Sequence, residues 1–300
     1  MNRDRWWKLQ ARAAPYLFVS PFLIIFCVFL LYPLARSFCL SFQRTVGPGH
    51  VIFVGLGNYR FLLGHDLLFG LAVLNTAVFT AAFLCFQIPL SLGLALLLNS
   101  RRIRLRSLFR FSFFSSYLVG QVFAGVIFFQ LFSPNGLVNH ILGAILGRRI
   151  IVPWLSSPAM VLPSVLIASL WLATGYGMIY FLAALQAIDH ELYEAAQVDG
   201  AGRWSRFFHI TVPGIRHMLM YMLLIGAIGG FQLFELPFVL LQGPGPGGRG
   251  MTIVMYLFIM GFNAGDLGYA SAIGWILVTM LVVIFLARFR FFRFRREIGV

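Results

Sequence analysis

The polar residues with the greatest capacity for chemistry lie in one short stretch, ELYEAAQVDGAGRWSRFFHITVP, which runs from Glu191 to Pro213. It holds three of the nine acidic residues of the chain, Glu191, Glu194 and Asp199, and Asp189 comes just before it. A carboxylate on a helix can pair strongly with a cationic partner, because hydrogen bonds between ionised groups are about twice as strong as neutral ones. The stretch therefore predicts either a docking surface or a helix–turn–helix that covers one end of the protein's own fold.

The remaining reactive side chains form no catalytic or metal-binding pattern. The sequence HELYE, from His190, lacks the second histidine of the HExxH zinc motif. The six histidines and three cysteines show no ligand spacing, and no carboxylate pair or nucleophile–base pair converges on one face. Lys8 is the only lysine, so the chain cannot build the GxxxxGK[ST] loop that binds ATP phosphates. We therefore expect a non-catalytic chain that binds no metal and no cofactor of its own.

The composition is that of a membrane protein. Hydrophobic residues make up 60% of the chain and charged residues only 11%, whereas soluble domains carry about 25% charged residues. The mean hydropathy is +0.88. A net charge of +14 would suit nucleic acid if it formed one basic face, but here the charges separate apolar runs. We predict an all-α integral membrane protein with no nucleic-acid partner.

Six apolar runs approach or exceed the roughly 20 residues that a membrane-spanning helix needs. The first has 21 uncharged residues from Pro15 to Ala35, too many for the core of a cleaved signal peptide, so we expect it to be retained. Residues 251–265 are apolar but too few to span comfortably, which favours an outer-face or re-entrant helix. All the spans would belong to a single transmembrane domain, 1–300. The predicted spans are about 15–39, 70–98, 108–132, 161–187, 218–241 and 267–288.

The basic residues are unevenly divided between the two sides of these spans. Seventeen of the 23 lie in positions 1–12, 101–110, 203–216 and 288–296, and the other six lie in the alternate connections. Because loops rich in arginine and lysine stay in the cytoplasm, this asymmetry predicts that both termini are cytoplasmic. Two termini on one side require an even number of spans, which agrees with six.

Residues 189–217 belong to the side that holds more of the basic residues, and they are too polar for lipid. They carry seven charges, and their insertion would cost about 20 kcal/mol at roughly 2.5–3.5 kcal/mol per charge near the bilayer centre. The pattern within them is nevertheless regular. Asp189 can cap a helix that Gly200 ends, and a second amphipathic run follows as far as Pro213. We predict two short helices in a cytoplasmic loop.

The segment EAAQVDGAGRWSRFFHITVP resembles the EAA loop of the membrane-spanning subunits of ABC importers, and residues 189–217 are called the EAA loop below. Further stretches, including PYLFVSPFLIIFCVFLLYPLARSFCLSF, FVGLGNYRFLL and AGDLGYASAIGW, resemble the carbohydrate-type permeases that import oligosaccharides and glycerol 3-phosphate. Nine positions match the EAA pattern over twenty residues: Glu194, Ala195, Ala196, Asp199, Gly200, Ala201, Phe207, Ile210 and Pro213.

The resemblance implies the fold and partners of a type I ABC importer permease in the bacterial inner membrane. Such a chain has six transmembrane helices and forms half of a solute pathway. Its partners would be two ABC ATPase subunits, a second homologous permease subunit, an extracytoplasmic solute-binding protein and membrane lipid. ATP and Mg would be bound by the ATPase, and the EAA loop would sit in a groove on that subunit.

Residues of the solute pathway are harder to identify. Glu235 is the one carboxylate inside an apolar span, and intramembrane acids commonly serve function; it could equally be solvated or pair with Arg249. Polar side chains in spans either line a pathway or bond between helices, and tyrosines either stack on sugar rings or pack. The candidates are Glu235, Gln232, Asn75, Gln87, Gln121, Tyr176 and Tyr180.

Two other functions stay open at this point. An ion-coupled transporter or channel would place several ionisable groups deep in its spans, and here only Glu235 qualifies. An importer of the same kind could instead carry a polyamine, an anion or another non-sugar solute, because the EAA loop carries no information about cargo.

Overall fold

The computed structural model describes residues 3–45, 50–100, 103–148 and 151–297, with side chains only from residue 14 to residue 286. The described chain is mostly helical, as predicted, and departs from an all-α fold only in a small antiparallel hairpin of β1 (Gln43–Thr45) and β2 (Val51–Phe53). Arg101, Arg102 and Arg149, which entered the count of basic residues, lie outside the described residues.

The chain divides into two compact units, residues 1–65 with 257–278, and residues 66–256 with 279–300. Before β1 the first unit contains α1 (Arg3–Phe26), a π-helical turn (Cys27–Leu31) and α2 (Tyr32–Leu40), and after β2 it contains α3 (Gly57–Gly64). The second unit contains α4 (Leu67–Asn99), α5 (Arg106–Leu118), α6 (Gln121–Leu131), α7 (Leu137–Leu146), α8 (Val161–Gln186), α9 (His190–Val198), α10 (Arg203–Arg206), a π-helical turn (Phe207–Thr211), α11 (Val212–Gly214), α12 (Arg216–Phe231), α13 (Glu235–Leu241) and a 3-10 turn (Pro246–Gly248). The two units share α14 (Ile253–Phe258) and α15 (Leu267–Glu297), and the π-helical turn between these helices (Ile259–Asn263) belongs to the first unit.

The hairpin of the first unit is held by the residue that begins α15. Asp266 accepts hydrogen bonds from the backbone N–H of Tyr269, in the first turn of α15, and of Thr45, in β1. The Arg44 guanidinium lies 3.5 Å from the other Asp266 oxygen. Asn58 of α3 completes the support by donating to the carbonyls of Ser41 and Gln43. The hairpin is thus fixed by charged and amide side chains rather than by a core of its own.

In the second unit α8 is the central helix, and glycines let its neighbours approach closely. A Cβ at Gly175 would overlap the Phe113 carbonyl of α5, and a Cβ at Gly177 would lie 2.5 Å from Ser91 Oγ of α4. The contact with α4 is reinforced because Ser91 Oγ donates to the carbonyl of Thr174. Small residues at helix crossings are typical of membrane proteins, where packing rather than the hydrophobic effect joins helices.

The described helices include four that are long and apolar enough to cross a membrane, or six if each of two bent pairs is one span. The first pair is α5 and α6, which the sequence predicted as one run, 108–132, and which meet at 98°. Gly120 makes this bend with φ +79°, a value that suits glycine because it has no Cβ. The second pair consists of the helix that runs from Arg203 to Gly214 and α12, which meet at 66°. The predicted run 218–241 is interrupted at another point, since α12 ends at Phe231 and α13 begins at Glu235. Apolar composition does not reveal such breaks.

The ambiguous segment 251–265 is helical but short, and its start is anchored inside the second unit. Thr252 Oγ1 donates to the Leu233 carbonyl at 2.6 Å and accepts from the Met255 N–H. Ile253 N–H donates to Thr76 Oγ1 of α4. The first turn of α14 is therefore buried against α4 and the segment before α13, and Ile253 and Met255 are fully buried.

Candidate functional site

The first helix of the EAA loop, α9, begins at the residue that the sequence indicated. Asp189 has extended backbone angles, and its Oδ1 accepts a hydrogen bond from the Glu191 N–H at 3.1 Å. Such a cap satisfies one of the backbone donors that a helix start leaves free. Glu191 adds a negative charge in the first turn, which the helix dipole favours.

The end of α9 is formed by Gly200, which has φ +78°. The Ala201 N–H donates to the Ala196 carbonyl at 2.8 Å, and the Gly200 N–H donates to the Gln197 carbonyl at 3.1 Å. These two bonds form a Schellman motif, which needs a left-handed residue that glycine adopts without strain. Four positions of the EAA match, Ala196, Asp199, Gly200 and Ala201, thus build one turn that sets the direction of the next helix.

The second helix of the loop runs from Arg203 to Gly214 and contains a π-helical turn, Phe207–Thr211. Two contacts join it to α9. The Tyr193 hydroxyl lies 2.9 Å from Thr211 Oγ1, and Arg206 donates to Gln197 Oε1 at 3.3 Å. The two helices are therefore tied side to side as well as through the turn.

The base of the EAA loop is packed into the core of the second unit. Ile215, at the 66° bend between the second helix and α12, is 1% exposed among Leu185, Met222 and other apolar residues of α4, α8 and α12. Phe207 and Ile188 pack against the same cluster. The base of the loop therefore shares one packed cluster with three long helices, and packed interiors deform little.

The outer surface of the loop is open. None of the residues of α9 is buried, and several large apolar side chains face outward, with Val198 88% exposed and Trp204 75% exposed. Glu194 lies 3.7 Å from His190 across one turn, and both side chains are exposed. Trp204 stacks on the exposed Phe208, and contiguous apolar surface of this kind is typical of a site that a partner or a membrane covers.

A second feature of this unit is a cavity of about 250 Å³ between α4, α5, α6, α8, α12 and α13. Phe79 and Phe83 stack on one side with ring centroids 5.8 Å apart, and Tyr117 and Tyr176 stack with centroids 4.8 Å apart. Gly229 lines it too, and a Cβ built there meets nothing within 4 Å.

The structure brings some predicted pathway residues to this cavity and not others. Gln121, Gln87 and Tyr176 line it. Tyr180 does not, but its ring lies 4.6 Å from that of Tyr176. Asn75 is buried away from the cavity and donates to the carbonyls of Gly248 and Met251, which is a structural role.

Glu235 and Gln232 lie at the break between α12 and α13, both exposed and outside the cavity lining. Among the described residues, Glu235 has no cationic group within 4.0 Å, so the alternative pairing with Arg249 is not formed. The sequence did not indicate that Tyr117, the stacked Phe79 and Phe83, or Gly229 would line a cavity. No local pattern marks them, since they come together only through helix packing.

The comparison with known families is decisive. The family described as "Binding-protein-dependent transport system inner membrane component" matches residues 87–295, more than half of the chain and including the EAA loop. The chain belongs to this family. With its apolar helices, this makes the transport component a multi-pass inner membrane protein.

Relatives of this transport component align with nearly the whole chain. The arabinooligosaccharides transport system permease AraP of Bacillus subtilis is 38% identical over 275 residues, covering 91% of this chain and 86% of the relative. A bacterial ABC transporter involved in the import of the acidic polysaccharide alginate has a chain with TM-score 0.82 and 26% identity, covering 96% of this chain and 98% of that one. The alginate transporter has also been solved with a periplasmic protein that holds an alginate pentasaccharide, and a chain there has TM-score 0.79 and 26% identity, covering 94% and 95%.

Proposed function

We propose that the chain is the membrane-spanning subunit of an ATP-driven, binding-protein-dependent ABC importer for a sugar or sugar-like solute. The observation that carries the proposal is the EAA loop, a rigid pair of helices whose base is packed into the bundle and whose outer face is uncovered. The arabinooligosaccharide and alginate transporters named above support a saccharide as cargo. The subunit is non-catalytic and forms half of the solute pathway.

The proposed assembly places each partner on one side of the membrane. In this proposal the chain crosses the membrane six times, so both termini lie on one side, and the excess of basic residues on that side places it and the EAA loop in the cytoplasm. Two ATPase subunits, with ATP and Mg bound to them, contact that side. A second homologous permease completes the pathway, and an extracytoplasmic solute-binding protein delivers the solute. The complex of the alginate transporter with its periplasmic protein supports this last partner.

The coupling mechanism follows from the connection between the loop and the core. ATP-driven closure of the ATPases moves α9 in its groove, and the tied second helix moves with it. Ile215 then passes the displacement to the cluster that joins α4, α8 and α12. The spans respond by a rigid-body change between inward-open and outward-open states, which is a common form of switching transition.

In the assembly the exposed Glu194 carboxylate pairs with a basic residue of the ATPase, and reversing the charge of Glu194 tests this contact. In Glu194→Lys, the carboxylate proposed to pair with a basic ATPase residue is replaced by a like charge. Loss of a close interfacial charge pair costs about 2–5 kcal/mol, so we expect ATP-driven uptake to fall by roughly tenfold or more. Uptake and ATPase activity are measured together in proteoliposomes that contain the solute-binding protein.

Glu191→Lys is the matched control, because Glu191 is an exposed acid of the same helix outside the EAA match. It should retain most uptake, and both variants should insert normally. Equal uptake by Glu194→Lys and the wild type would contradict the proposed ion pair.

The alternative of an ion-coupled transporter predicts a different energy source. We expect uptake to require ATP on the side of the vesicle membrane that carries the ATPases. Uptake should persist when the proton gradient is collapsed. Uptake that follows the proton gradient and ignores ATP would favour the alternative.

A further inference from the structure

The cavity of the second unit contains no charge that could balance an ionised solute. Its lining residues come from six helices, α4, α5, α6, α8, α12 and α13, and from the segments just before α6 and just after α12. All of them are apolar, aromatic or uncharged polar. A charged group in a low-dielectric site is costly unless a partner of opposite charge is present. The wall supplied by this chain therefore suits a neutral solute, in contrast to the acidic cargo of the similar alginate transporter.

One buried polar atom in the wall has no hydrogen-bond partner among the described residues. Gln87 of α4 is 2% exposed, and its Oε1 is buried with no hydrogen-bond donor in the described part of the chain. Its Nε2 makes only a long bond of 3.3 Å to Ser91 Oγ. A buried amide oxygen without a donor is destabilising, and such groups commonly mark a place where a ligand or another conformation supplies the donor.

The amide group of Gln87 is confined on the side that faces α8. Gly177 of α8 approaches so closely that a Cβ there would lie 2.5 Å from Gln87 Nε2. The last side-chain torsion of glutamine has a broad energy profile, so the amide oxygen can rotate toward the cavity. Ser169 also lines the cavity, and its hydroxyl donates to the Val165 carbonyl at 2.8 Å, which leaves its oxygen as a second acceptor.

The rest of the cavity wall suits a solute whose ring carries hydroxyl groups. Stacked pairs, Phe79 with Phe83 and Tyr117 with Tyr176, offer broad apolar surface, and Gln121 adds a second amide. Mostly aromatic walls with a few placed polar groups are typical of small-molecule sites. We infer that this cavity is a binding subsite for an uncharged, polyhydroxylated solute and that Gln87 is its hydrogen-bond acceptor; the inference rests on the proposed function and narrows its solute.

Cysteine protection in the assembled transporter tests the subsite. Cys27, Cys39 and Cys85 are replaced by serine, and Gly229→Cys places a thiol in the cavity, where a Cβ meets nothing within 4 Å. We expect maltotriose or arabinotriose to slow thiol labelling by a small methanethiosulfonate reagent, and the acidic trigalacturonate to leave it unchanged. Protection by none of the neutral trisaccharides, or equal protection by trigalacturonate, would overturn the neutral subsite.

Gln87→Leu tests the acceptor. Removing one buried hydrogen bond should raise the trisaccharide concentration needed for half-protection by about threefold to tenfold. Thr80→Val is the matched control, a buried polar residue of α4 outside the cavity lining, and should leave protection unchanged. Unaltered protection in Gln87→Leu would remove the role of Gln87.

Uptake in the same proteoliposomes tests the importer assignment separately from the cavity subsite. ATP-driven uptake of a trisaccharide without protection of Gly229→Cys would overturn the subsite and leave the importer assignment in place. The absence of ATP-driven uptake for every saccharide, with protection intact, would count against the importer and not against the subsite.

Discussion

Replacing Gly200 by proline is expected to abolish ATP-driven uptake while the protein still inserts into the membrane. Gly200 has φ +78°, and its N–H donates to the Gln197 carbonyl. Proline fixes φ near −65° and has no N–H, so the Schellman motif cannot form, at a local cost of about 3 kcal/mol or more. The second helix then leaves α9 in another direction, and the contacts of Tyr193 and Arg206 are lost. Uptake and ATPase activity of the reconstituted complex are the measurements.

Gly202→Pro is a close control, only two residues away. Gly202 has φ −69°, which proline adopts, and a Cβ there meets nothing within 4 Å. We expect this variant to retain most of its uptake. Normal uptake by Gly200→Pro would show that the shape of the turn is irrelevant to coupling.

The second large effect concerns the helix contact at Gly175. A glycine-to-alanine change inside a helix normally stabilises it by up to about 1 kcal/mol. At Gly175 we expect alanine to destabilise the protein instead, because the new methyl group would overlap the Phe113 carbonyl and force α5 away from α8. Overpacking of this kind costs about 1–3 kcal/mol. Thermal unfolding of the purified complex in detergent should show a lower midpoint for Gly175→Ala.

Gly229→Ala is the comparison variant, because at that position the usual stabilising effect of a glycine-to-alanine change is expected. Its Cβ would lie in open space at the cavity wall, so the helix propensity of alanine should dominate and stability should stay equal or rise. If both variants had the same unfolding midpoint as the wild type, the close approach of α5 and α8 at Gly175 would be incorrect.

The local structure of the EAA loop could be predicted from sequence because its signals are short-range. The cap at Asp189 and the stop at Gly200 depend on residues within one turn of each end, and both are formed. The π-helical turn at Phe207–Thr211 and the bond from Tyr193 to Thr211 were not predicted. They depend on how the second helix meets the bundle, which no neighbouring residue specifies.

The spans show the same limit on a larger scale. Apolar runs located the long helices well, since hydrophobicity varies strongly along the chain. The 98° bend at Gly120 and the break before Glu235 stayed hidden, because each lies inside a long run of mostly apolar residues. Among the pathway candidates, polarity alone could not separate Gln121, which lines the cavity, from Asn75, which binds backbone carbonyls.

The central claim is that the EAA loop lies in the cytoplasm and is moved by a nucleotide-hydrolysing subunit. Its most direct test is Ala196→Cys, on α9, with Cys27, Cys39 and Cys85 replaced by serine. The thiol is labelled from either side of sealed membrane vesicles and cross-linked to the co-purified ATPase with and without ATP. We predict labelling by an impermeant reagent from the cytoplasmic side only, and a cross-link whose yield changes with ATP. Labelling from the outer side, or no cross-link to any nucleotide-hydrolysing subunit, would contradict the account.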